Sequence, residues 1–381
     1  MTTGRTPSFR RGPAGDSLLP PGLQDPRREL GYTNRTAIGA VPLPAGRPSN
    51  TGGQIHGRMV SRRITDWLLE DDQPAVRYLA LRGLLGKSEA DPDVQEARRA
   101  VPQRGWAARI LEDRQPGGWW VDPRSLYVPK YHSTNWKLLI LSDLGVDRTL
   151  PAIRTSCELW IGRFRTADGS FGPDGGKKGH LCTAGNTARA LIKFGYEDHP
   201  AVRRTLDWLV ENASHLGGWS CWGSGRNLDS WEGLSAFAAY PRAKWTSAMA
   251  DRVEKAAEFF LERELHRQGE HYEPWYRFHY PVHYYYDLLV GLDLLTSLGY
   301  SDDRRLRTAL SVLKTKRRKD GRWNLDALHP DVEGAIAEWY HKHPKQAPTP
   351  FGLETPGKPS KMITLIAQRV LDRVDGVTTR S

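Results

Sequence analysis

Four short loops of this chain set a glycine beside an aromatic residue: QPGGWW from Gln115, DGSFG from Asp168, LGGWSCW from Leu216 and KDGRWNLD from Lys319. Gly117 and Gly169 are 52 positions apart, Gly169 and Gly218 are 49 apart, and Gly218 and Gly321 are 103 apart, close to twice the same period. The wide gap predicts a degenerate copy in its middle, where HRQGEHYEPWYRFHY carries Gly269 and Trp275. A repeat of about fifty residues restricts the chain to an array of like units, since one such unit cannot bury its apolar face without neighbours.

Inside each period an apolar segment is followed by a turn and an amphipathic segment. The apolar segments are HSTNWKLLILSDLG (132–145), CTAGNTARALIKFG (182–195), DSWEGLSAFAAYP (229–241) and HYYYDLLVGLDLLTSLG (283–299). They are apolar on most faces, which predicts helices buried between other elements. The amphipathic segments, 198–212 and 301–316, carry Val202, Leu206 and Leu209 or Leu306, Leu310 and Leu313 on one stripe, with charges opposite. Gly145, Gly195 and Gly299 stand where left-handed C-terminal caps are needed. A further helical pair is read over 62–86 and a last apolar helix over 360–371, giving about six pairs. The expected fold is all-α, an (α/α) toroid or barrel of inner and outer helices, closed because the final helix lacks the polar face of an open stack's cap.

The expected boundaries are a disordered basic tail over 1–58, the toroid over 59–375 and a disordered end over 376–381. The tail holds eight arginines against Asp16, Asp25 and Glu29, so nearly half of the net charge of +11 lies there. With the basicity so placed, nucleic acid is not the expected partner, and KTKRRKDGR (314–322) reads as a solvated helix end. The chain has three cysteines, no apolar run of signal-peptide length in its first fifty residues and no stretch long enough for a membrane span. Reduced thiols in a soluble cytoplasmic protein are expected.

The recurring glycine–aromatic loops before apolar inner helices resemble the α/α-toroid superfamily of triterpene cyclases and protein prenyltransferase β subunits, over roughly 61–374. The resemblance implies an isoprenoid or other hydrophobic substrate, small or anionic, and a transferase or cyclase activity. Proton-initiated cyclases of the family use an Asp-x-Asp-Asp acid. The nearest match is DSWE, Asp229 to Glu232, with Trp231 at the acid's place, so that chemistry is not expected here. The prenyltransferase branch implies a zinc held by Asp, Cys and His. His283 and Asp229 resemble two of these, while Trp231 replaces the cysteine. Lanthionine cyclases, another toroid branch, use two Cys and one His.

On these grounds Cys182, Cys221 and His283 are the expected ligands of a Zn2+ ion, with the fourth position open or filled by Asp229. Helix heads suit thiolate ligands, because unpaired N–H groups there lower a thiol's pKa. Asp229, Glu232, His279 and Tyr284 are the candidates for acid–base work. His132, Trp136, His180, Trp222, Trp231, Tyr280 and Asp287 are expected to line the substrate site, and Arg277 or Lys361 to meet an anionic group. The dense run HYEPWYRFHYPVHYYYD (271–287) reads as a pocket wall suited to an isoprenoid chain or a carbocation. Two alternatives remain open. One is a polysaccharide lyase or glycosidase on the same helical frame, and the other a noncatalytic binding scaffold.

Overall fold

The computed structural model describes residues 62–219, 228, 230–267, 272–328 and 350–378. The expected tail over 1–58 and Gly269 lie outside the described residues. These residues form α1 (Arg62–Leu68), α2 (Pro74–Gly83), α3 (Pro92–Ala100), α4 (Gly105–Glu112), α5 (Thr134–Asp143), α6 (Pro151–Phe164) and α7 (Leu181–Lys193). They continue with α8 (Pro200–Glu211), α9 (Glu232–Ala239), α10 (Ser247–Glu262), α11 (Leu288–Ser297), α12 (Arg307–Thr315) and α13 (Lys361–Thr378). Among them, extended pairing is confined to isolated bridges.

Six helices make the inner layer. α5 packs on α7, α7 on α9, α9 on α11, α11 on α13 and α13 on α2. Gly145, just past α5, closes the circuit: a methyl group there would come within 2.8 Å of the Tyr78 ring of α2. The inner helices are buried nearly all round, as Thr134 to Ser142 of α5 illustrate. The outer helices bury one face, which in α8 comprises Ala201, Val202, Thr205, Leu206, Trp208 and Leu209. α4, α6, α8, α10 and α12 take outer positions, and α1 fills the sixth, its Ile64 lying under the loop at Gly321. The toroid is thus closed by the joining of its first and last helices. Lys361 seals the seam, its Nζ lying 2.8 Å from Glu70 and 2.6 Å from Asp72. No helix of the described residues is long and apolar enough to cross a membrane.

The repeat has a structural cause. In each glycine–aromatic loop a glycine takes the left-handed conformation: Gly118 (φ 100°), Gly169 (87°), Gly217 (98°) and Gly321 (87°). Each turn then lets the chain double back, as in the bonds Gln115 N to Trp119 O, Thr166 N to Ser170 O, Ser214 N to Gly218 O and Arg318 N to Arg322 O. The aromatic residue that follows becomes a buried peg. Trp120, Trp219 and Trp323 donate their indole N–H to the carbonyls of Ile110, Leu209 and Leu313, each ten residues upstream at the end of an outer helix. Phe171 fills the same position without a donor and is fully buried. In the wide gap between Gly218 and Gly321, Tyr286, beyond the expected copy and its Trp275, makes a bond of a similar kind through its hydroxyl, 2.8 Å from the Leu265 carbonyl 21 residues upstream.

Gly145, Gly195 and Gly299 carry positive φ, as their cap positions require. The element ends differ from expectation in several places, the largest shift of a start being at α12, which begins at Arg307 rather than 301. α9 and α11 begin at Glu232 and Leu288, later than 229 and 283, and α13 runs to Thr378, past the expected end of the toroid.

Candidate functional site: an aromatic mouth at the inner-helix heads

The first turns of α5 and α7 lie side by side with a narrow cleft of about 10 Å³ between them. Asn135, Trp136 and Leu139 come from α5, Cys182, Thr183 and Asn186 from α7, and Tyr127 and Tyr284 from the loops above. Trp136 anchors the wall, donating its indole N–H to the Tyr127 carbonyl at 2.7 Å. Ring centroids of Tyr127, Tyr131 and Tyr284 lie 5.0, 4.9 and 5.7 Å from Trp136. Tyr285 stacks on Tyr284 at 4.5 Å. Lys130 sits at the rim, its Nζ 3.0 Å from the Tyr284 hydroxyl. Trp231 braces the far side through its indole N–H to the Tyr284 carbonyl, 3.3 Å, and is itself covered by the Arg189 guanidinium at 5.2 Å. Below the rings, Thr183 Oγ1 and Asn186 Oδ1 are buried without a hydrogen-bond partner among the described residues, two polar atoms at the cleft floor.

His283 does not head an inner helix. It lies five residues before α11, in a left-handed conformation (φ 49°) that side chains other than glycine's seldom adopt. Its ring stacks on Tyr131 at 4.7 Å and meets Trp136 edge-on at 5.4 Å. Burial holds it neutral, far below the usual imidazole range, and the neighbouring His279 pushes the same way.

His279 and Asp287 engage each other. Asp287 Oδ2 accepts from both the backbone N–H and Nδ1 of His279, at 3.0 and 2.7 Å, while its Oδ1 caps α11 by accepting from the Val290 N–H at 2.8 Å. The second ring nitrogen of His279 faces the Val282 carbonyl at 3.3 Å. Both side chains are buried, and their bonds tie the head of α11 to the loop that carries His283, Tyr284 and Tyr285.

The other expected site residues are spread more widely. Glu232 is buried in the first turn of α9. Tyr280 is fully buried, its hydroxyl without a partner among the described residues, and burial raises its pKa well above the usual phenol value. His132 is half-buried against the Phe351 ring at 5.6 Å, and His180 is exposed ahead of α7. Arg277 donates to the Asp326 carbonyl, and Lys361 is held by the carboxylates at the seam. Asp229, Trp222 and Cys221 lie outside the described residues. Among the described residues no three His, Cys, Asp or Glu side chains converge as a metal site. Cys182 and His283 both border Trp136.

Lys137 was not among the expected site residues, although a lysine inside NWKLLIL is itself a signal. It is 3% exposed, with Nζ 3.0 Å above the Phe351 ring. Burial lowers its pKa to about 8, against an opposing pull from Asp113. The unfolded chain therefore binds more protons between pH 8 and the ordinary lysine value, so stability rises with pH across that window. Below pH 8 the penalty is fully present. Lys137→Met is expected to raise stability at pH 7 by about 1–2 kcal/mol, the desolvation cost less the cation–π attraction, and to flatten that rise. Denaturant titrations at pH 7 and pH 10 check both effects; an unchanged pH slope would refute the assignment.

No family model matches the chain, and no curated protein matches it. Among solved structures it is similar to the apo type II terpene cyclase MstE from Scytonema, with 16% identity, 81% of this chain and 88% of that chain covered, and a TM-score of 0.41. An arginine-to-alanine variant of that cyclase in complex with geranylgeranyl dihydroxybenzoate has 15% identity, coverages of 81% and 87%, and a TM-score of 0.41.

Proposed function

We propose that this toroid is an enzyme of isoprenoid chemistry, a cyclase or a transferase, that takes the apolar chain of its substrate at the aromatic mouth. The observation that carries the reading is the set of Tyr127, Trp136 and Tyr284 lining one cleft at the heads of α5 and α7, backed by the rings of Tyr131 and Tyr285. Aromatic faces bury hydrocarbon and stabilise developing positive charge, a combination that isoprenoid reactions use. In the resemblance to proton-initiated cyclases Trp231 takes the place of the acid, so the chemistry proposed is group transfer or loss of a leaving group rather than protonation of an alkene. Among the described residues the cleft lining contains no carboxylate, which weighs against the paired-carboxylate glycosidase alternative.

Zinc belongs to the same proposal on narrower ground. Cys182 and the neutral ring of His283 border the same indole, and both are donors that zinc takes. When bound there, the ion would supply activation of a thiolate or of a water.

Isoprenoid alcohols and diphosphates of graded chain length, titrated against the intrinsic tryptophan fluorescence, test the reading. Affinity is expected to tighten with chain length and to fall by roughly tenfold in Tyr284→Ala, about 1.4 kcal/mol of lost ring contact. Elemental analysis of the same preparation is expected to find stoichiometric zinc that Cys182→Ser loses. Binding that ignores chain length would sink the isoprenoid reading, and turnover by metal-free protein would sink the zinc.

A further inference from the structure

The axis of the toroid beneath the mouth is charged. Inner helices of a closed ring are expected to meet at an apolar centre, yet Asn186, Arg189 and Lys193 form one stripe along α7, each about a turn below the last. Across from them stand Asp143 at the end of α5, Asp293 in the middle of α11, and Gln368, Arg369 and Arg373 on α13. Arg189 Nη1 and Lys193 Nζ reach Asp143 Oδ1 at 3.3 and 2.7 Å. Arg369 Nη2 reaches Asp293 Oδ2 at 3.3 Å, and Arg373 Nη1 reaches Asp293 Oδ1 at 2.8 Å. The two groups are neighbours. Desolvation lowers the pKa of Lys193 even though its side chain is 38% exposed, and the charges of both Arg189 and Arg369 add to that.

Among the described residues, these four cations are bonded to two carboxylates, an excess of two positive charges within that bonded set. The hydrogen bonding is incomplete on both sides, and among the described residues the acceptors Asn186 Oδ1 and Gln368 Oε1 also stand without a partner. Arg189 is 7% exposed, and its Nε and Nη2 have no acceptor among the described residues; neither does Nε of Arg369. Buried donors left unmade are costly, and charged ones most of all, so a network that was only structural would be expected to use them. Glu354 and the pair Glu70 and Asp72 do not supply the missing acceptors, because they are bonded to Ser360 and Lys361 at the seam.

We propose that this axial cluster is a binding site for a doubly charged oxyanion of the phosphate class, held by Arg189 and Arg369 with Lys193 and Arg373 completing the charge. A tetrahedral oxyanion supplies acceptors in the fork geometry that guanidinium groups favour, and two negative charges balance the surplus. The site lies below the aromatic mouth, which it meets where Arg189 covers Trp231, and it goes beyond the isoprenoid reading.

The test is calorimetric titration of the full chain with inorganic phosphate, pyrophosphate and phenyl phosphate, each against sodium chloride of equal ionic strength. Saturable binding is expected for inorganic phosphate, weakened at least about tenfold in Arg189→Met and in Arg369→Met, which keep the aliphatic stems. A free anion binds as inorganic phosphate or pyrophosphate; the headgroup of a larger ligand binds only as phenyl phosphate, still lost in both variants. Either pattern upholds the site. Heats that chloride reproduces, or affinities that neither substitution changes, would overturn it. Tyr284→Ala separates the two readings, since it leaves oxyanion binding intact while weakening isoprenoid binding.

Discussion

Gly185→Ala is expected to destabilise the protein by about 3 kcal/mol, and Gly185→Val to prevent folding altogether. Helix propensity alone predicts the opposite sign, because alanine in mid-helix is favoured over glycine by about 1 kcal/mol. Packing decides the matter. A methyl group on Gly185 would lie 2.5 Å from the carbonyl carbon of Glu232, 2.6 Å from its oxygen and 2.8 Å from the Gly233 nitrogen. Those are backbone atoms at the head of α9, with no rotamer to yield. Gly233 is pressed on its other side by the Trp219 ring, which a methyl group added there would meet at 2.7 Å. Three layers, α7, α9 and the tryptophan peg, therefore meet through two glycines. Opening the crossing would also move Trp231, which braces Tyr284, so the aromatic mouth should loosen with it. Denaturant unfolding of the alanine variant checks the sign: a gain in stability would show that the helices part without cost.

The fold is legible because its determinants are local and periodic. The glycine caps at 145, 195 and 299 and the glycine–aromatic turns each impose a backbone conformation that few other residues tolerate, and such positions repeat with the unit. What each aromatic does is less legible. Trp120, Trp219 and Trp323 mark the repeat in the sequence, but that each is a peg whose indole satisfies a carbonyl ten residues upstream is visible only in the fold. The axial charges are illegible for a different reason. Counted by composition, CTAGNTARALIKFG is an apolar helix, and only the closure of the ring brings Arg189 and Lys193 to Asp143. His279 and Asp287 show the converse case. Titratable residues in an aromatic run resemble a reactive pair, whereas three-dimensional placement spends both on each other and on a helix cap.

That pairing makes Asp287→Ala the other large effect expected, a loss of about 3–5 kcal/mol. The side chain is 1% exposed and accepts from three donors: the Val290 N–H, the His279 N–H and His279 Nδ1. Truncation strands all three where water cannot reach them, and the loss of the N-cap alone accounts for about 1 kcal/mol. Asp287→Asn keeps an acceptor for the cap but offers an amide where two donors now converge on one carboxylate oxygen, so an intermediate loss is expected. The clamp also fixes the ends of the loop bearing His283, Tyr284 and Tyr285, and so binding at the mouth should weaken more than global stability predicts. A double-mutant cycle with His279→Ala isolates the pair. Because His279 has lost its partner in the first variant, the double variant should cost little more than Asp287→Ala alone, with a coupling of roughly 1–3 kcal/mol. Strictly additive losses would mean that the two residues stabilise the structure independently, and that the mouth is held by the ring stacking of Tyr131, Trp136 and His283 instead.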